Sequence, residues 1–188
     1  NMVIGAPSNE RICRQMLFSC YQYQGPAAVR YPRGSGIGVK INDAVDECKI
    51  GHAEIVRKGN NTAILSFGTT LSEALIAGDK TDATVVDMKW VKPLDTELIK
   101  EIASNYEKIV TIEDGSIAGG AGSAVNEELN RVGIISRVIN LGIPDQFIDH
   151  AGQEEQYAMC GIDSESIISA INGFEKTDSY NQSNYGSI

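Results

Sequence analysis

A chain of 188 residues, 42% hydrophobic and 22% charged, is long enough for one sizeable core, or for one domain and a piece of another. Its formal net charge of -9 argues against nucleic acid as a general partner, and no apolar run approaches the ~20 residues a helix needs to span a bilayer. No charged-then-apolar leader precedes the first strand, so a protein outside the secretory route is expected.

Taken in chain order, Met2 to Ala6 reads as a strand, and Pro7-Ser8 as a turn and cap. The next stretch, NERICRQMLFSCYQYQ, spaces Ile12, Met16, Leu17 and Cys20 as a helix does. Gly25-Pro26 breaks that helix, AAVRY is a short strand, and Pro32 with Gly34, Gly36 and Gly38 forces a loop. A unit of this size cannot bury both faces of its sheet alone, so residues 1–40 are expected to be the end of a larger domain. Residues 41–48 are polar and acidic and read as a linker. Beyond them, strands are expected over Ala53 to Arg57, Thr62 to Phe67, Ala83 to Lys89, Lys108 to Glu113 and Arg137 to Leu141. Helices are expected from Gly68-Thr69-Thr70 through about Ala77, over Asp95 to Ser104, and over Gly122 to Arg131. Val- and Ile-rich strands alternating with helices predict an α/β unit over 49–173, a mostly parallel sheet covered on both faces. Residues 174–188 have almost no aliphatic side chains and are expected to form a flexible tail.

The four cysteines, Cys13, Cys20, Cys48 and Cys160, show neither CxxC spacing nor clustering with His52 and His150, the only histidines. Reduced packing residues are expected, and no metal site. Charge is unevenly spread: residues 1–40 carry five basic groups against Glu10 alone, while the remainder carries 11 basic and 24 acidic groups. A local basic region in an acidic body suits a small anion.

Three stretches are candidates for chemistry. Gly119-Gly120-Ala121-Gly122, between a strand and a helix, has the setting of a phosphate loop, but GGAGSA departs from GxGxxG and reads as a tight turn. Glu113-Asp114, with Asp87 and Asp95, lie at strand ends where a general acid or base is conceivable, but capping and loop hydrogen bonds are the expected role. In VRYPRG, residues 29–34, strand alternation puts Arg30 and Arg33 on opposite faces, so one ligand should not take both. Spacing alone leaves a phosphate fork and interface ion pairs both open.

The segments APSNERICRQML, GPAAVRYPRGSGIGV, AILSFGTTLSEAL, ATVVDMKWVKPLD, GGAGSAVNEEL and GIPDQFIDHAG, in this order, resemble the 1-deoxy-D-xylulose 5-phosphate synthase family of transketolase-like thiamine diphosphate enzymes. PSNE and DHAG depart slightly from that family's pattern, outside the arginine loop. The resemblance covers Asn1 to about Gly173. It implies a transketolase C-terminal-like α/β domain preceded by the end of a domain that binds the cofactor's pyrimidine. It further implies condensation of pyruvate with D-glyceraldehyde 3-phosphate, with loss of CO2, in isoprenoid precursor and thiamine biosynthesis. Arg33 matches the arginine that holds the acceptor phosphate, and Arg30 is its neighbour and electrostatic partner; no catalytic, cofactor or metal residue carries over. Thiamine diphosphate and Mg2+ ligands are expected upstream of Asn1, in the remaining N-terminal part of the same enzyme. A cytoplasmic or plastid homodimer is implied, with this chain inactive by itself. A non-catalytic packing module, or the β part of a 2-oxo acid dehydrogenase, stays open as an alternative.

Overall fold

The computed structural model describes the backbone of residues 1–41 and 46–185, with side chains as far as Phe174. Residues 42–45 of the expected linker and the last three of the expected tail lie outside the described residues. The strands are β1 (Val3–Gly5), β2 (Ala27–Val29), β3 (Glu54–Arg57), β4 (Ala63–Phe67), β5 (Thr84–Asp87), β6 (Trp90–Lys92), β7 (Lys108–Ser116) and β8 (Arg137–Ile143). The helices are α1 (Glu10–Gln22), α2 (Leu71–Thr81), α3 (Thr96–Asn105), α4 (Ala121–Val132), α5 (Gln153–Cys160) and α6 (Ser164–Tyr185).

Five strands form one sheet in the order β3-β5-β4-β7-β8, parallel throughout except for β3, which joins the edge antiparallel to β5. Period-two alternation divides its side chains between two cores. Ala63, Leu65, Phe67 and Val86 face Ile99 and Ile102 of α3 and Val125 and Leu129 of α4. Ile64, Val85, Val110 and Ile112 face Ala74 and Ala77 of α2 and Ile167, Ile171 and Phe174 of α6. The mostly parallel sheet with helices on both faces is therefore present.

The smaller sheet has the order β2-β1-β6. β1 runs parallel to β2 in the register Val3↔Ala27, and β6 closes its other edge antiparallel, with Gly5 opposite Trp90. α1 lies across it. Asn9 caps this helix, its Oδ1 accepting from the Ile12 N–H at 3.0 Å, and Met16 packs so close to β1 that a Cβ at Gly5 would collide with its sulfur. Trp90, Cys48, Met16 and Val3 share the core. The third strand thus comes from the far side of the expected linker, and this sheet is not confined to residues 1–40.

Two further differences have local causes. α5 carries no buried side chain and offers no apolar stripe to read. α6 runs on as helix through Tyr185, over most of the stretch expected as a tail. It starts where Asp163 Oδ1 accepts from the Ser166 N–H at 3.0 Å, and its Ile167, Ile171 and Phe174 follow helical spacing into the core. All four cysteines are free, and among the described residues no helix is long and apolar enough to cross a membrane.

Candidate functional site

The chain leaves β4 for β5 on one side and returns to form β7 on the other, which places a topological switch point between β4 and β7. Adjacent loops diverge beyond the carboxyl ends of such strands, leaving the crevice in which open α/β sheets hold ligands. Here it opens past the register pair Phe67 and Glu113. One wall is the tight turn Gly68–Thr70, whose first residue has φ +82°, a conformation suited to glycine. The other wall is the end of β7.

Arg30 reaches this crevice from the loop after β2. Its Nη1 donates to Asp114 Oδ1 at 2.6 Å and to the Asp114 carbonyl at 3.0 Å, while its own backbone N–H donates to the Gly5 carbonyl at 2.8 Å. Thr69 Oγ1 donates to the second carboxylate oxygen of Asp114 at 3.2 Å and lies 2.9 Å from the Tyr157 hydroxyl, which accepts from Gln153 Nε2 at 3.1 Å. The ion pair joins the two sheets. Arg33 differs from Arg30: it is exposed beyond Pro32 and, among the described residues, makes no ion pair or hydrogen bond. Of the two readings that spacing left open, the interface ion pair describes Arg30 and does not describe Arg33.

The glycine loop after Arg33 is tethered at its far end. Glu10 Oε1 accepts from the Gly38 N–H at 2.7 Å, and a Cβ at Gly36 would overlap the same carboxylate. Bonds from the backbone N–H groups of Glu10 and Gly38 hold the Glu10 carboxyl below its ordinary pKa. Between this loop, α1, α2 and α5 lies a cavity of about 530 Å³, its wall including Leu17, Tyr31, Thr69, Glu73 and Tyr157.

The other carboxylates hold structure. Glu113 is buried and fills the start of α4, Oε2 accepting from the Ala121 N–H at 3.0 Å and Oε1 from the Gly122 N–H at 2.9 Å. The glycine turn that resembled a phosphate cradle is therefore occupied by the protein's own anion. Glu113→Ala leaves these donors without their acceptor, and is expected to lower stability by about 1–3 kcal/mol. A urea unfolding midpoint within error of wild type would show that Glu113 is dispensable there. Asp95 caps α3 through the Leu98 N–H at 3.0 Å and also accepts from the Ala53 N–H at 2.9 Å. Asp87, only 2% exposed, accepts from Ser8 Oγ at 2.7 Å, and burial pushes its pKa up to about 6. His150 is exposed, and His52 Nδ1 lies 3.9 Å from Asp95, too far for a hydrogen bond.

The positions of Thr69 and Tyr157 in the crevice escaped the sequence. Thr69 stood out only as part of a helix cap, and Tyr157 lies in a helix without periodicity. A hydroxyl in the turn directly after a switch-point strand was the available signal.

Comparison with known proteins places this architecture. A family model described as transketolase, C-terminal domain, matches residues 51–167. The 1-deoxy-D-xylulose-5-phosphate synthase of Aeromonas hydrophila is 50% identical over 171 residues, which are 91% of this chain and 28% of that protein. The one from Bordetella avium is 48% identical over 167 residues, 89% of this chain and 27% of that protein. The chain thus spans about 28% of the length of the curated relatives it matches. A solved structure described as "Split gene transketolase, inactive beta4 tetramer" superposes with a TM-score of 0.81 at 28% identity, covering 92% of this chain and 57% of the other. The transketolase of Campylobacter jejuni shares the fold, with a TM-score of 0.60 at 13% identity over 92% of this chain and 26% of that one. Since the matched residues take in the larger sheet with α2, α3, α4 and α5, the chain belongs to the family of transketolase C-terminal domains.

Proposed function

We propose that this chain is the C-terminal part of a 1-deoxy-D-xylulose 5-phosphate synthase, and that Arg33 holds the phosphate of D-glyceraldehyde 3-phosphate while pyruvate supplies the two-carbon unit and loses CO2. The observation carrying this reading is the unequal state of the two arginines in VRYPRG: Arg30 is tied to Asp114, whereas Arg33, in the loop whose Tyr31, Pro32 and Gly34 line the cavity, is exposed and makes no ion pair or hydrogen bond among the described residues. A guanidinium fork matches a phosphate bidentately, and holding the phosphate places the aldehyde carbon for attack. Identity near 50% to synthases of that name supports the substrate pair. Arg30, its neighbour in VRYPRG, contributes positive charge near the phosphate and fixes the loop to Asp114.

When bound, thiamine diphosphate supplies the carbanion chemistry of such a reaction. The residues present do not form its site. The glycine turn at α4 has its donors taken by Glu113, and no group of three or more His, Cys, Asp or Glu suited to a metal occurs among the described residues. Cofactor and Mg2+ would therefore be held by the N-terminal part of the complete enzyme, which we take to be a cytoplasmic homodimer. The 188-residue chain alone should give no product from pyruvate, D-glyceraldehyde 3-phosphate, thiamine diphosphate and Mg2+, whereas the complete enzyme should. Turnover by the chain alone would overturn the division of labour, and a complete enzyme without synthase activity would overturn the substrates.

A further inference from the structure

We infer that Asp114 and Thr69 are positioning residues for the acceptor phosphate: a directed hydrogen-bond chain from α5 through Tyr157, Thr69 and Asp114 clamps Arg30 and thereby sets where Arg33 stands. The inference rests on the reading of Arg33 given above and deepens it.

The direction of the chain follows from counting protons. An ionised carboxylate only accepts, and each hydroxyl has one proton to give. Thr69 Oγ1 spends its proton on Asp114 Oδ2, so at 2.9 Å it accepts from the Tyr157 hydroxyl. Tyr157, having given its proton to Thr69, accepts the Gln153 amide at 3.1 Å. Three donors in series therefore point toward one carboxylate, whose other oxygen holds Arg30 at 2.6 Å. Such bonds polarise one another, and burial pushes the Tyr157 phenol up, so it keeps the proton it gives to Thr69 at neutral pH.

The consequence for Arg33 is mechanical. Residue 30 is held at both ends, its backbone by Gly5 and its guanidinium by Asp114. Pro32 restricts its own φ and the conformation of Tyr31, so little freedom separates Arg30 from Arg33. Past Arg33 the glycines loosen the chain until Gly38 is caught by Glu10. Arg33 thus sits between two tethers, the nearer one ending on β7 and α5. A pre-placed cation binds its anion with less ordering cost than a wandering one.

The test uses the complete enzyme with two acceptors, D-glyceraldehyde 3-phosphate and unphosphorylated D-glyceraldehyde. Thr69→Val and Asp114→Asn are expected to raise KM for the phosphorylated acceptor about 5- to 20-fold, with kcat and the KM for D-glyceraldehyde within about twofold of wild type. Thr69→Ser, which keeps the hydroxyl, should behave as wild type. Tyr157→Phe, the mildest change should the others fail to fold, should raise the same KM about 2- to 5-fold. In the 188-residue chain, the same variants should speed hydrogen exchange across residues 30–38. Equal effects on both acceptors, no effect, or a Thr69→Ser as impaired as Thr69→Val would overturn the inference. Arg33→Ala separates the two claims: if it leaves the KM for the phosphorylated acceptor unchanged, the phosphate reading itself fails. If it raises that KM while Thr69→Val does not, only the positioning role fails.

Discussion

Arg33→Ala in the complete enzyme is expected to raise the apparent KM for D-glyceraldehyde 3-phosphate about 10- to 150-fold while leaving the KM for pyruvate within about twofold, the range that one lost charge-assisted contact of ~1.5–3 kcal/mol implies. The asymmetry carries the information. An arginine that merely supported the loop would weaken both substrates together, whereas one touching only the phosphate weakens only the substrate that has one. Arg33→Lys keeps the charge and loses the planar fork, so it should fall between alanine and wild type. Arg30→Ala should behave differently again. It removes the bond that joins the loop to β7, so it should lower the unfolding midpoint as well as acceptor affinity. Equal rises in KM for pyruvate and acceptor would remove Arg33 from the phosphate.

A second large effect is expected from Asp87, through pH. Its carboxyl is buried, and burial outweighs the hydrogen bond from Ser8 and the nearby Lys89 charge, raising its pKa from 3.8 to about 6. In the unfolded chain this group loses its proton near pH 4; in the folded protein it keeps the proton until about pH 6. The folded state therefore binds more protons across that interval, and stability contributed by this site is present below pH 4 and lost as pH rises through 6. A shift of this size corresponds to about 3 kcal/mol. Carboxyls with lowered pKa, such as Glu128 beside Arg131, contribute with the opposite sign, so the difference between wild type and Asp87→Asn is the useful quantity. Asn keeps the size and an acceptor for Ser8 without charge. The variant should be close to wild type at pH 4 and more stable by about 1–3 kcal/mol at pH 7. Urea midpoints that run parallel between those pH values would show that Asp87 ionises normally.

Much of this was legible in the residues. Strands β4, β5, β7 and β8 announced themselves by β-branched side chains between glycine- and polar-rich breaks, and α3 by Asp95 immediately before its first turn. What escaped was nonlocal or too short to show a period. β6 has three residues, and its strand character comes from pairing with β1 some 85 positions away. Glu113 looked like a strand-end acid available for chemistry; its capping role depends on β7 turning back so that the start of α4 meets it. α6 left a usable trace in Ile167, Ile171 and Phe174, but the polar residues that follow obscured how far it continues. In VRYPRG, the expected strand AAVRY stops at Val29, so alternation does not reach the arginines, and Arg30 is set apart from Arg33 by its partner instead. Only the fold could supply Asp114 as the partner, because that residue is 84 positions distant.

The loan of β6 to the smaller sheet bears on the order in which the molecule is assembled. β1, α1 and β2 are translated before β4, α2 and β5, yet Gly5 cannot pair with Trp90 until that residue has left the ribosome, by which time β4, α2 and β5 have emerged ahead of it. Closing so long a loop is entropically slow, whereas β4 and β5 pair after a short crossover through α2. β1 thus completes its pairing only after later elements have emerged, and VRYPRG matures only on a sheet that was translated after it.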